Sequence, residues 1–198
     1  MRSLTAVLLL VLLVAGPARA QQAPEAVVEG FCNTLLAAMK GGSAMGFAGR
    51  QQLLAPVIQR DFAIPEMTRL AIGPFAARLP ADQVARIADA FARWTVATYA
   101  SQFNTWGGES FEVGTPHPST GDAVQVPTRI IFPTGEPTRL DYVLRPLGGR
   151  WQVVDILAEG TISQLAVRRS EFVGALRSGG PDGLVNALGR KTRDLASR

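Results

Sequence analysis

The sequence predicts an α+β fold: a four-stranded antiparallel meander sheet packed by N-terminal helices, one long central helix and two C-terminal helices, enclosing an apolar cavity. Three observations carry this. Apolar residues recur at helical spacing as far as Trp106; from Glu109 the period changes to two; and after Leu157 the helical spacing returns behind a capping pattern. Helices, then strands, then helices is the order expected of one sheet with a covered face.

The first helix is opened by Pro24 and carries the stripe Val27, Val28, Phe31, Leu35, Leu36 and Met39 until Gly41-Gly42 stops it. A second helix over 47–58 is expected to be interrupted at Pro56, and residues 60–64 form a connector. A short helix from Pro65 carries Met67, Leu70 and Ala71 and ends near Gly73-Pro74. The longest pattern covers 80–106, where Val84, Ile87, Phe91, Trp94, Thr95, Thr98, Tyr99, Gln102, Phe103 and Trp106 keep to one face. Its outer face pairs Asp82 with Arg86 and Asp89 with Arg93, each acid four residues N-terminal to its base.

Four strands follow. Phe111 and Val113 mark the first; Val124, Val126, Thr128, Ile130 and Phe132 alternate along the second; Leu140, Tyr142 and Leu144 along the third; Trp151, Val153 and Leu157 along the fourth. Proline- and glycine-rich turns of a few residues separate them, which makes a meander. Thr161 with Gln164 reads as a capping box for a helix carrying Ile162, Leu165, Phe172 and Leu176, closed by Gly179-Gly180. Pro181 and Asp182 open the last helix, which runs to Gly189.

At 198 residues and 47% hydrophobic, the chain can bury one core, and no linker divides it. Residues 1–20 have the layout of a secretory signal: Arg2, an apolar segment over 4–15, and Ala18-Arg19-Ala20 as the cleavage site, leaving residues 21–198 as a single domain. The apolar run is short of the roughly 20 residues a membrane span needs, so an uncleaved anchor is the weaker alternative. Without Arg2 and Arg19 the chain holds 18 basic against 16 acidic residues, and the basic ones are dispersed, unlike a nucleic-acid-binding patch.

Catalytic chemistry is sparsely provided for. The one histidine, His117, lies between two prolines, and Cys32 reads as a small buried residue of the first helix; together they cannot build a zinc site. Asp141, Asp155 and Glu159 are the carboxylate candidates. Asp155 or Asp141 could serve as the base of a small cavity enzyme of the isomerase or hydratase kind, but carboxylates beside Arg139, Arg145 and Arg150 read first as ion pairs. No catalytic residue, metal or cofactor is assigned. What the chain has in excess is apolar stripes, which make a core and allow a greasy cavity.

Trp151, Asp155, Ala158-Glu159-Gly160, Arg169-Ser170-Glu171-Phe172 and Gly179-Gly180-Pro181-Asp182-Gly183-Leu184 resemble the C-terminal half of the MlaC family of periplasmic phospholipid-binding proteins, the toluene-tolerance or auxiliary ABC-transport type. Residues 62–70, Phe91, Thr98-Tyr99-Ala100 and Leu140-Asp141-Tyr142 extend the resemblance upstream in the same order. It implies a periplasmic carrier that shields acyl chains between sheet and helices. Its cargo would pass between an outer-membrane lipoprotein complex and an inner-membrane ABC transporter complex, which maintains outer-membrane lipid asymmetry. On that reading the lipid-binding residues are Phe31, Leu35, Phe62, Leu70, Phe91, Trp94, Tyr99 and Phe103 from the helices. The sheet adds Val126, Ile130, Leu140, Tyr142, Leu144 and Val153, and the helix after it Leu165 and Phe172. The Gly160-Thr161-Ile162-Ser163 wording departs from the family's usual Gly-Val-Ser and resembles its hopanoid-associated branch, so the expected ligand is a phospholipid or a hopanoid. A non-carrier accessory protein of hopanoid biosynthesis is a further alternative.

Overall fold

A computed structural model describes residues 22–197; the expected signal segment and its cleavage after Ala20 lie outside the described residues. Helix α1 (Pro24–Asp61) leads through α2 (Ile64–Ile72) and a 3-10 turn (Gly73–Ala77) into α3 (Ala81–Gln102). Strands β1 (Ser110–Val113), β2 (His117–Pro118), β3 (Val124–Val126), β4 (Thr128–Ile131), β5 (Thr138–Leu147), β6 (Arg150–Ala158) and β7 (Ile162–Ser163) follow, and α4 (Gln164–Ala196) closes the chain.

The meander forms as expected, all antiparallel, with its second strand split and with β2 an additional short strand where a turn was expected. Strand β5 is the spine: β6 pairs along one edge, while β3 and β4 share the other and carry β2 and β1 in turn. The expected continuous second strand breaks at Pro127, which has no N–H for the ladder; its carbonyl instead accepts from Gly114 N at 2.7 Å. The break turns the Thr128 amide toward Asp141 Oδ1 (3.4 Å), and Arg139 and Gln125 Nε2 complete the shell around this wholly buried carboxylate. Burial alone would raise the Asp141 pKa, but Arg139, Gln125 and the Thr128 amide together hold it below the usual carboxylate range.

Glycine interrupts the helices where expected. Within α1 the backbone leaves helical geometry at Gly42 (φ 46°, ψ −134°) and Gly46 (φ 65°, ψ 174°), so the first helix ends there and a second follows, but Pro56 does not interrupt that second helix. Buried Arg50 secures the break, donating to Gly42 O and Ala100 O at 2.7 Å each and so tying α1 to α3. Helix α3 stops at Gln102, four residues early, and Trp106 lies outside it with Lys40 over its ring. Its expected internal ion pairs are absent among the described residues; Arg86 instead reaches Asp182 at 2.7 Å, because α4 packs along that face.

The expected pair of C-terminal helices is present within α4: the backbone leaves helical geometry at Gly180 (φ 62°, ψ −167°), Pro181 opens the second helix, and only its end differs, continuing past Gly189. Glu171 and Lys191 would lie about 30 Å apart on a straight helix. Their ion pair at 2.7 Å shows that α4 folds back on itself. The cap is also corrected. Ile162 and Ser163 extend the sheet, and Ser163, not Thr161, accepts from the Ala166 amide (2.9 Å). Between helices and sheet the core centres on Phe31, whose ring meets Phe62, Tyr99 and Tyr142 edge-on at 5.0, 5.1 and 5.9 Å.

The Asp141 shell predicts a pH signature. A carboxylate whose native pKa is depressed contributes stability that is present above its unfolded value of about 4 and is lost as the pH falls below it. Denaturant midpoints measured from neutral to acid pH should fall more steeply for the wild type than for Asp141→Asn. At neutral pH Asp141→Ala, which leaves Gln125 and the Thr128 amide unpaired, should cost about 2–3 kcal/mol.

Candidate functional site

A half-open cleft of about 330 Å³ lies where α3, β5, β6 and the start of α4 converge over the α1–α2 junction. The periodicity of α3 puts Phe91, Trp94, Thr95, Thr98, Tyr99, Gln102 and Phe103 along one wall. Leu140, Asp155, Ile156 and Ala158 of the sheet form the opposite wall; Phe62 and Met67 close the floor, and Gln164, Leu165 and Arg168 stand at the α4 side. The junction is held there because Ala63 N donates to Val153 O (2.9 Å) and Gln152 Nε2 to Arg60 O (3.0 Å).

Most polar atoms of this lining are already engaged. The Thr95 and Thr98 hydroxyls donate to Phe91 O and Trp94 O one turn back, at 2.9 and 2.8 Å. Asp155 Oδ1 accepts from Ile156 N (2.7 Å) and Leu165 N (3.0 Å), and Oδ2 accepts from Ser163 Oγ (2.6 Å). That carboxylate therefore satisfies the Leu165 amide at the N-terminus of α4, where helix dipole and orphan N–H groups favour an anion. Gln102 and Arg168 bring the spare polar groups. The Arg168 guanidinium lies 4.6 Å from the Trp94 ring centre, Lys191 covers the same ring at 5.1 Å, and both contact Glu171. The site is an apolar trough with a cationic, aromatic rim.

The structure brings Phe62, Phe91, Trp94, Tyr99, Phe103, Leu140 and Leu165 of the expected set into this lining. Phe31, Leu35, Val126, Ile130, Tyr142, Leu144, Val153 and Phe172 lie behind it as buried core. Leu70 is not in the lining; it is 46% exposed on α2. Thr95, Thr98 and Gln102 were legible from the α3 stripe, whereas Met67, Ile156, Ala158, Gln164 and Arg168 join the lining through packing that no periodicity announces.

The other reactive candidates are placed elsewhere. His117 is exposed in β2, opposite Gln125. The Cys32 thiol is pushed up to about 12, by burial first and then by nearby Glu29, which keeps it protonated and inert. Tyr99 and Tyr142 lie in the core, and burial raises both phenols well above the ordinary value. Among the described residues no group of three or more His, Cys, Asp and Glu is arranged to hold a metal ion.

This architecture is an α+β fold in which an antiparallel sheet and surrounding helices converge on an apolar trough. Residues 29–190 match the MlaC protein family, and the chain belongs to it. Its fold is shared with the phospholipid-binding protein from Ralstonia solanacearum, solved in complex with a phospholipid, at a TM-score of 0.72 and 23% identity over 88% of this chain and 99% of that one. No curated protein matches the chain.

Because Asp155 holds the Leu165 amide of α4, the Ile156 amide of its own strand and the Ser163 hydroxyl, Asp155→Ala should cost about 2 kcal/mol. Hydrogen exchange at the Leu165 and Ala166 amides should speed up in that variant while amides of β5 keep their protection.

Proposed function

We propose that the chain is a periplasmic lipid carrier that takes the acyl chains of a phospholipid into the cleft between α3 and the sheet. The single observation that carries this reading is the trough itself: aromatic and aliphatic walls, hydroxyls turned back onto their own helix, and spare polar groups confined to the rim. Membership of the MlaC family and the phospholipid held by the Ralstonia solanacearum protein of the same fold support it. Each buried methylene contributes about 0.8 kcal/mol, so a trough of this kind holds a lipid without reading its head group. The volume lies near the lower end of the roughly 300–1,000 Å³ typical of small-ligand pockets. Seating two chains therefore requires the cleft to widen.

On this reading the segment over residues 1–20 directs export, and the mature carrier shuttles cargo between an outer-membrane lipoprotein complex and an inner-membrane ABC transporter complex. Asp141 and Asp155, the residues a cavity enzyme would use, are committed to the sheet and to the start of α4, which favours binding over catalysis. The trough discriminates little between apolar skeletons, so the mass of the extracted lipid decides between phospholipid and hopanoid.

Native mass spectrometry of the protein purified from a lipid-making host should show one stoichiometric adduct that organic solvent removes and that fragments as a phospholipid. Thr98→Trp, which fills the middle of the trough, should reduce adduct occupancy about tenfold, the loss of roughly two buried methylenes' worth of contact. A wild-type protein that is repeatedly empty and takes nothing up from vesicles would overturn the reading.

A further inference from the structure

Leu70, Trp106, Ile162 and Val167 are the large apolar side chains that stand in solvent among the described residues, at 46, 48, 54 and 44% exposure, and three of them are one step from the cleft. Leu70 is one helical turn beyond Met67 of the floor; Val167 is adjacent to Arg168 and one turn beyond Gln164 of the rim; Ile162 pairs with Ala158 across the β6–β7 ladder. Nothing in the core requires them to be apolar, because their neighbours Arg69, Thr161 and Ala166 are exposed as well.

The charges around these three side chains favour one kind of surface. Arg169 forms no ion pair among the described residues, and its guanidinium lies against Gly73 at the end of α2, beside the turn that bears Leu70. Arg168 stands at the mouth over Trp94. Of the carboxylates nearby, Glu66 is held by Arg145 and Arg69, and Glu171 by Arg168 and Lys191; Glu159 alone is unpaired. Exposed aliphatic side chains flanked by arginines suit a lipid–water interface that carries anionic head groups, where apolar groups enter the boundary layer and guanidinium groups meet phosphates.

We propose that the rim of the cleft formed by Leu70, Ile162, Val167 and Arg169 docks directly on an anionic bilayer, so that the mouth opens onto the head-group layer. This rests on the carrier reading and adds the membrane surface itself as a partner. Docking places the apolar trough at the depth where acyl chains begin, so a lipid enters along a continuous apolar path.

Co-sedimentation with vesicles of phosphatidylethanolamine containing phosphatidylglycerol, compared with vesicles of phosphatidylcholine alone, tests it. Wild-type protein should bind the anionic vesicles about tenfold more strongly, since each basic residue near such a surface contributes about 1 kcal/mol. The double variant Ile162→Ser with Val167→Ser should lose about tenfold in affinity for both vesicle types, and Arg169→Gln should lose mainly the anionic preference. Circular dichroism and thermal melts confirm that the variants fold, and the single variant Val167→Ser serves if the double one does not. Wild type that fails to bind anionic vesicles, or variants that bind them undiminished, would overturn the docking surface. Lipid extraction from the same wild-type and variant preparations separates the two readings. Lipid-loaded protein that ignores vesicles leaves the carrier and removes the docking, whereas vesicle binding by a protein that never holds lipid leaves the surface and removes the carrier.

Discussion

Asp155 is where the sheet and the roof of the cleft are joined. One carboxylate on β6 accepts from its own strand at Ile156, from the hydroxyl of Ser163 and from the Leu165 amide at the first turn of α4. Ser163, oriented by that bond, caps the Ala166 amide in turn. The strand-to-helix corner between them is tight enough to require a positive φ at Glu159 (51°) and Gly160 (73°), and a side chain on Gly160 would collide with the Arg139 guanidinium that holds Asp141. The direction in which α4 leaves the sheet, and with it the position of Leu165 and Arg168 across from α3, follows from this corner.

The two acids, Asp141 wholly buried and Asp155 half-buried, thus have complementary roles. Asp141 fixes the broken second strand to the spine of the sheet, and Asp155 fixes α4 to the sheet's far edge. Between them the Phe31 cluster packs α1 against α3 and β5, and α4 packs along α3 through Phe172, whose ring meets Phe91 at 5.2 Å. The fold-back of α4 at Gly180 then brings Lys191 and Glu171 together over Trp94, which closes the rim with charge and leaves the interior apolar.

Period and punctuation in the sequence made the fold class legible. The switch from 3.6 to 2 at Glu109, the turn residues between strands and the stripe on α3 placed every main element. What they could not show is how the helices on either side of a break are held: Arg50 ties the break at Gly42 to α3, and the Glu171–Lys191 pair joins the two parts of α4, through contacts that no local spacing announces. Pro127 carried a readable signal, since proline cannot serve a central strand, but its consequence for Asp141 depends on tertiary neighbours. The cap shifted from Thr161 to Ser163 for the same reason, because β7 pairing and Asp155 outweighed the local capping box. Of the site, the helical wall was legible from its stripe. The sheet wall was less so: alternation points to a face without saying whether that face meets a core or a trough. Tyr142 and Leu144 proved to be core, and Ile156 and Ala158 line the opening.

The central claim, that acyl chains lie in the trough between α3 and the sheet, is tested most directly through Trp94, which lines it. In a protein carrying Trp106→Phe and Trp151→Phe, fluorescence comes from Trp94 alone. Loading with phospholipids brominated at successive acyl positions should quench it in a position-dependent manner, strongest where the bromines pass the ring, while a head-group-labelled lipid should quench little. Stoichiometric loading with no quenching from any acyl position would place the lipid elsewhere and contradict the account.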